Sequence, residues 1–497
     1  MVIMGTFSLS SIFFFFLSIY LSFLLVETIT LNRQGVDILH NADHSDFYIK
    51  KTRNPSLSAR VLPSQFQKSK SLSLLMNQVL QVNRQTPDAF QNSGPELCQK
   101  FKIMSYNNRT KRRRIFAGGL IADDSWHVIG ANALETYGIF HSVTFVESNR
   151  TQNYTPRKVR FESNPPTEDY TLLQSGIYGP NTPVYVEQFA YEKEELPMMR
   201  EHMMRQRILS TWKTLGMTRE DIGIIFDTDE IPSRDFLRAA QICEISKNSW
   251  RTDEKQTCRT PLVRMSFPMF EGSPNCIHSG KQMFKRFLST AMVIGACIEG
   301  IGDGGRHPIV PRAGKDMYGN NQGAREKGYG EQFNYDNIKN GNEHGLFPLY
   351  NSADFRRMLS EVSMFGGVGY HLHNFFDDAE RIRFKYAYYG HVHKHAYTAP
   401  LGALNADLNL LVKCAHNISD EGNRKRRLKN GLQLLEEMYS LPAAFQIEGY
   451  VDARHRELIT ILEQDEKEYG RADKFDGNHL YQEHMLTHTG RIQKEGR

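Results

Sequence analysis

Cysteine is scarce in this chain, six in 497 residues, and no two stand as Cys-x-x-Cys or at a Cys/His spacing that would hold zinc. None has a plausible activating base beside it in the sequence, which argues against a cysteine nucleophile. Net charge is also small, +5 over the whole length. The two basic runs, Lys111-Arg112-Arg113-Arg114 and Arg424-Lys425-Arg426-Arg427, are brief and far apart, so a nucleic-acid partner is excluded as the main reading. A disordered chain is excluded by 40% hydrophobic and 11% aromatic content.

Charge is missing altogether from residues 8–26, which are rich in Phe, Leu and Ile. As a helix this stretch would span roughly 28 Å, close to the thickness of a hydrocarbon core. No Lys or Arg precedes it, and Leu25-Val26-Glu27-Thr28 makes a poor cleavage site, so the expectation is an uncleaved signal anchor after a short cytoplasmic segment, residues 1–7. The bulk of the chain then lies in the secretory lumen. Four sequons agree, at Asn108, Asn149, Asn153 and Asn417. In that oxidising setting the cysteines can pair; six allow 15 connectivities, and the local guesses are Cys243 with Cys258 and Cys276 with Cys297.

Residues 27–100 are polar, with one short apolar stretch near 72–80, and read as a flexible lumenal stem. From residue 114 strand and helix signals alternate. Strands are expected at 114–122, 142–147, 183–189 and 221–226, and helices at 124–136 and 196–215. Ser233 is the expected N-cap of a further helix running to about Cys243. Such alternation argues for an α/β domain, residues 101–440, with a mostly parallel central sheet whose ligands bind at the carboxyl edge of the strands. A charged helical extension, residues 441–497, follows.

Asp227-Thr228-Asp229-Glu230 falls at that edge, after the fourth strand. Acid-x-acid alone is cheap: 56 acidic residues supply roughly six such triplets by chance, and Glu463-Gln464-Asp465 is one of them. Position gives it meaning. In extended backbone residues i and i+2 face the same way, so Asp227 and Asp229 can offer two hard oxygens to one Mn²⁺ or Mg²⁺. Arg200 and Arg205 share a helix and can reach phosphate, although a solvated face is the plainer reading of both.

The wording of residues 112–161 and 221–239, followed by Gly369-Tyr370-His371-Leu372-His373-Asn374-Phe375-Phe376, Phe384-Lys385 and Tyr389-Gly390-His391, resembles glycosyltransferase family 17. These are the β-1,4-mannosyl-glycoprotein 4-β-N-acetylglucosaminyltransferases. The resemblance implies a GT-A-like, Rossmann-type fold and a divalent metal. It further implies UDP-N-acetylglucosamine as donor, inversion at the anomeric carbon, a protein N-glycan as acceptor and a single-pass type II Golgi membrane protein. It assigns Asp227 and Asp229 to metal and diphosphate. Glu230 is read as holding the ribose or orienting Asp229, Glu147, ending the second strand, as meeting the nucleoside or serving as a structural cap, and His371 as a metal ligand, a donor to the diphosphate or a structural histidine. An inverting transfer needs a carboxylate base. Glu380 is the first candidate, with Asp378 and Asp377 behind it. Two other readings stand beside this one: a catalytically inactive glycan-binding Golgi protein, and a transferase with a different donor or acceptor. A two-metal phosphodiesterase would want more converging ligands than the chain offers.

Overall fold

Ile115–Leu120 (β2), Ser142–Ser148 (β3), Val184–Phe189 (β4) and Ile222–Asp227 (β5) are apolar strands of a kind that can be covered on both faces. Their burial alternates accordingly: Ile115, Ala117, Phe145, Ile224 and Phe226 join one hydrophobic cluster, whereas Phe116, Val146 and Ile225 join another. The computed structural model describes residues 62–81, 94–101, 104–106, 112–151, 154–190, 197–245, 263–279, 288–298, 300–301, 305–306, 346–347, 363–366, 368–389, 393–416, 427–429 and 441–472. The apolar segment 8–26, the sequons at Asn108, Asn153 and Asn417, Lys111 of the first basic run, Arg424-Lys425-Arg426 of the second, Cys258 and His391 lie outside them. Among the described residues no helix is long and apolar enough to cross a membrane.

The remaining strands are Met104–Tyr106 (β1), Glu230–Pro232 (β6), Cys243–Ile245 (β7), Val263–Ser266 (β8), Met269–Glu271 (β9), Ile277–Ser279 (β10) and Leu288–Ile294 (β11). Gly305–Arg306 (β12), Leu346–Phe347 (β13), Ser363–Gly366 (β14), Gly369–His373 (β15) and Arg427–Lys429 (β16) complete the set. The central sheet has seven strands in the order β14-β8-β11-β5-β2-β3-β4. β2 runs parallel to β3 and β5, β3 to β4, and β14 to β8, while β11 is antiparallel to both its neighbours. This is an α/β protein with a mixed, mostly parallel sheet, consistent with a Rossmann-like fold. A second sheet, β16-β10-β9-β15-β6, carries the segments expected to meet the acidic cluster.

The helices are Ser64–Gln67 (α1), Lys70–Leu80 (α2), Gly94–Lys100 (α3), Trp126–Glu135 (α4), Glu168–Leu173 (α5), Pro197–Thr214 (α6), Arg234–Ile242 (α7), Ala379–Tyr388 (α8), Leu401–Leu404 (α9), Ala406–Ala415 (α10) and Tyr450–Tyr469 (α11). α4, α5 and α6 make the successive crossovers between the parallel strands. α6 lies close on the sheet because two glycines let it: a Cβ at Gly118 would stand 2.2 Å from Ile208 Cγ2, and one at Gly223 2.3 Å from Trp212 Cζ3.

Several expectations are corrected. Residues 62–80 fall in the expected stem, yet Phe66, Leu75, Met76 and Val79 are buried in the main core. The apolar stretch near 72–80 is an amphipathic helix with Ser69 as its N-cap, and Glu457 of α11 accepts the Ser71 amide at 3.0 Å. α11, expected as part of an extension, packs Leu458, Ile461 and Leu462 against α8, α9 and α10. Neither local disulfide forms; Cys98 is bonded to Cys243 and Cys276 to Cys414, pairs 145 and 138 residues apart. Ser233 does stand at the N-cap of α7, but its side chain makes no capping bond. Glu135 supplies one instead, its Oε1 accepting the Arg234 amide at 2.9 Å while Oε2 accepts that of Ala443 at 2.8 Å.

Candidate active site

The acidic cluster is a tight turn between β5 and β6, pinned from inside. Leu120 of β2 stands beside Asp227 in the parallel register, and the Thr228 hydroxyl donates to the Leu120 carbonyl at 2.9 Å. The Leu372 amide donates to the Asp229 carbonyl at 2.8 Å. The Asp227 amide and the Thr290 hydroxyl both donate to Glu230 Oε2, each at 3.2 Å. Thr228 and Glu230 are therefore buried at 1% and 3%, while the side chains of Asp227 and Asp229 keep 41% and 21% of their exposure. Asp229 lies in the turn rather than in extended backbone, so the turn's own bonds and not strand alternation set how it stands to Asp227, and Glu230 is an internal tie of the turn.

Cations surround the two outward carboxylates. Arg205, 1% exposed on α6, brings Nη2 to 3.5 Å from Asp227 Oδ1. His371 on β15 brings Nε2 to 3.3 Å from Asp229 Oδ2. Burial pushes the Asp229 carboxyl upward, yet His371, with Lys385 and His373, outweighs it and holds the group well below the usual carboxylate range. For His371 burial favours the neutral ring, but the charges of Asp229 and Glu230 raise it above an ordinary imidazole. Lys385 of α8 stands with Nζ 3.4 Å from Asn374 Oδ1 and 5.5 Å from the centre of the Phe376 ring.

Asp124, at the end of the β2 segment, behaves in the opposite way. Burial first, then the charge of Asp229, pushes its carboxyl up to about 6, against the Ala122 amide that donates to Oδ2 at 2.9 Å. Next to it, Asp123 pairs with Arg157 Nη2 at 3.2 Å and accepts from the Tyr389 hydroxyl.

Other expected site residues lie elsewhere or are occupied. Glu147 is fully buried: Arg157 Nη2 (3.1 Å), the Arg160 and Phe161 amides (2.8 and 2.9 Å) and Gln188 Nε2 (3.3 Å) all donate to it. It organises the loop after β3 and offers no face to a nucleoside. Asp378 is the N-cap of α8, its Oδ1 accepting the Arg381 amide at 2.8 Å. Asp377 is engaged with His127 Nε2 at 3.4 Å and Arg381 Nη1 at 3.3 Å. Glu380 is exposed in the first turn of α8 and bonded to Tyr397. Lys385, five residues on, is the α8 residue whose charge acts on Asp229, and five residues turn a helix by about 140°. The structure thus joins Asp227, Asp229 and His371, and leaves Glu380 on another face.

Lys385 was not given a role at the site in the sequence, and Arg205, read there most plainly as part of a solvated face, is buried. For Arg205 a signal existed, because it precedes Ile208, Leu209 and Trp212 by three, four and seven residues and so belongs to the buried stripe of α6. As to a metal, among the described residues no three His, Cys, Asp or Glu side chains converge on one point. Two outward carboxylates nevertheless suit a hard cation of the kind that one or two protein oxygens hold while substrate phosphates fill the remaining positions.

In a Rossmann-like sheet ligands bind at the carboxyl ends of the strands, which is where Asp227 and Asp229 stand. Residues 85–250, about a third of the chain, match the model of glycosyltransferase family 17. The matched segment includes β2 to β5, Arg205 and the Asp227–Glu230 turn, and stops short of β15 and α8. No curated protein matches the chain.

Proposed function

We propose that the protein is an inverting, metal-dependent glycosyltransferase that moves N-acetylglucosamine from UDP-N-acetylglucosamine to a mannose hydroxyl of a protein N-glycan, in the bisecting β-1,4 manner. The observation that carries this reading is the outward pair Asp227 and Asp229 at the carboxyl end of β5, inside the segment that matches the family. These two residues would hold a Mn²⁺ or Mg²⁺ ion, whose chemistry is to neutralise charge on the departing diphosphate. Lys385, with its charge in the same field, stabilises the donor phosphates, and Arg205 orients the Asp227 carboxylate. His371 fixes the Asp229 carboxylate against rotation. Glu147 and Glu230 act by shaping loops rather than by touching the donor.

The fold is read as GT-A-like, and the setting as the Golgi lumen behind a single-pass type II anchor at residues 8–26. The disulfides Cys98–Cys243 and Cys276–Cys414 support an oxidising compartment.

The test is a screen of nucleotide sugars with Mn²⁺ for donor hydrolysis, and for transfer to N-glycan acceptors, with Asp229→Ala as the comparison. Turnover of UDP-N-acetylglucosamine that Asp229→Ala loses supports the reading. Absence of turnover with every donor would end it.

A further inference from the structure

A carboxylate base for the acceptor hydroxyl is missing from the positions where the sequence suggested one, and β15 carries a different pair of groups in its place. His371 and His373 are two residues apart on one strand and so share a face, their rings 5.5 Å apart. His371 is committed to Asp229. His373 is committed, through Nδ1, to Glu271 of β9, whose Oε1 lies 2.8 Å away. The parallel pairing of β15 with β9 sets His373 directly opposite Glu271, so the contact is fixed by sheet register and not by a mobile loop.

Glu271 is completely buried, and its second oxygen accepts from Asn374 Nδ2 at 3.1 Å. Asn374 also donates to the Tyr386 hydroxyl at 3.1 Å, and its Oδ1 faces Lys385 at 3.4 Å, joining the pair to the cation beside Asp229. Asn374 takes φ of 57°, a left-handed conformation that costs a side-chain-bearing residue energy and persists where the surroundings over-determine it. A carboxylate only accepts, so the proton of a neutral His373 ring rests on Nδ1 and the lone pair on Nε2. Nε2 has no hydrogen-bond partner among the described residues, and 16% of the side chain remains exposed.

We propose that His373, oriented by Glu271, is the base that takes the proton from the acceptor hydroxyl. This rests on the transferase reading above. In the step, the acceptor oxygen forms a bond to the anomeric carbon as the bond from that carbon to the diphosphate oxygen breaks. The electron pair of the broken bond leaves on the diphosphate. The hydroxyl proton passes to His373 Nε2, and the imidazolium so formed is paired with Glu271. The Glu271 carboxylate touches no substrate; it is a positioning residue.

The experiment uses the full chain with Mn²⁺, UDP-N-acetylglucosamine and an N-glycan acceptor, with donor affinity followed by calorimetry using UDP. His373→Gln is expected to lower kcat by about 10²- to 10⁴-fold with UDP affinity unchanged. Glu271→Gln lowers kcat less, again without changing UDP affinity, and added imidazole restores part of the turnover of His373→Ala. If His373→Gln fails to fold, as judged by melting, His373→Asn takes its place. A wild-type kcat in either variant, or loss of UDP affinity in step with kcat, would overturn the base assignment while leaving the transferase reading intact. No turnover by the wild-type chain would overturn both.

Discussion

Asp124 and Asp229 lie in each other's field yet titrate in opposite directions, the first raised to about 6 and the second held below the carboxylate range. The difference lies in their neighbours, since Asp229 has the His371 ring at 3.3 Å, whereas for Asp124 the charges of Arg160 and Lys385 do not offset burial and the charge of Asp229. A carboxyl raised in the folded state contributes stability that is complete below its unfolded value of 3.8 and is lost as pH climbs through about 6. Asn imitates the protonated form. Asp124→Asn should therefore melt higher than the wild type at pH 7, with the gain shrinking to nothing near pH 4, as thermal unfolding across that range would record.

For the Asp229–His371 pair the signs run the other way on each side. Asp229, depressed, contributes stability above its unfolded value of 3.8, and His371, raised, contributes below its unfolded value of 6.5, so the pair contributes most between those limits. Asp229→Asn removes the charge that lifts His371. The His371 ring should then titrate at lower pH by NMR, and donor turnover should be lost; a ring that titrates as before would show that Asp229 is not its principal partner.

Glu380→Ala should leave kcat close to the wild-type value, because the side chain sits on the wrong face of α8. Asp378→Ala should cost about 1 kcal/mol in denaturant unfolding through loss of the helix cap, again without a matching loss of turnover. A large drop in kcat for the Glu380 variant would return that residue to the chemistry.

Removal of residues 1–61 should leave the melting temperature unchanged, whereas removal through residue 100 should prevent folding. The second cut takes away Leu75, Met76 and Val79, all fully buried and each stabilising by roughly 1.5–3 kcal/mol. It also removes Cys98 and with it a disulfide of the sort that contributes about 2–5 kcal/mol. Together these approach the whole stability of an ordinary domain. Circular dichroism of the two fragments is the measurement.

Strands β2 to β5 and helices α4 and α6 were legible as long apolar segments, whereas six-residue α5 and the parallel pair β8 and β14 were not, and β5 ends at Asp227 where its apolar run gives way to charge. The acidic turn was legible in the same way, as a charged stretch directly after an apolar strand. The second sheet was not, since β6, β9 and β10 have three residues each, too few for any period to declare itself. Pairings across 138 and 145 residues leave no local trace, which is why both disulfides escaped a reading by proximity. Glu147 and Glu230 stayed open between two roles in the sequence because a carboxylate at a strand end has the same letter whether it faces a ligand or ties its own loop. Only the four donors to Glu147 and the two to Glu230 decide between those roles.

Gly118 and Gly223 govern more than packing. They set how closely α6 rides on the sheet, and Arg205 is carried on α6 one turn before Ile208, the side chain that a Cβ at Gly118 would strike. A methyl group added at either glycine would lift the helix and draw the guanidinium away from Asp227, so an error of volume in the core would surface as an error of charge at the catalytic edge. The absence of two side chains is in this sense an electrostatic setting, fixed well away from the carboxylate it tunes.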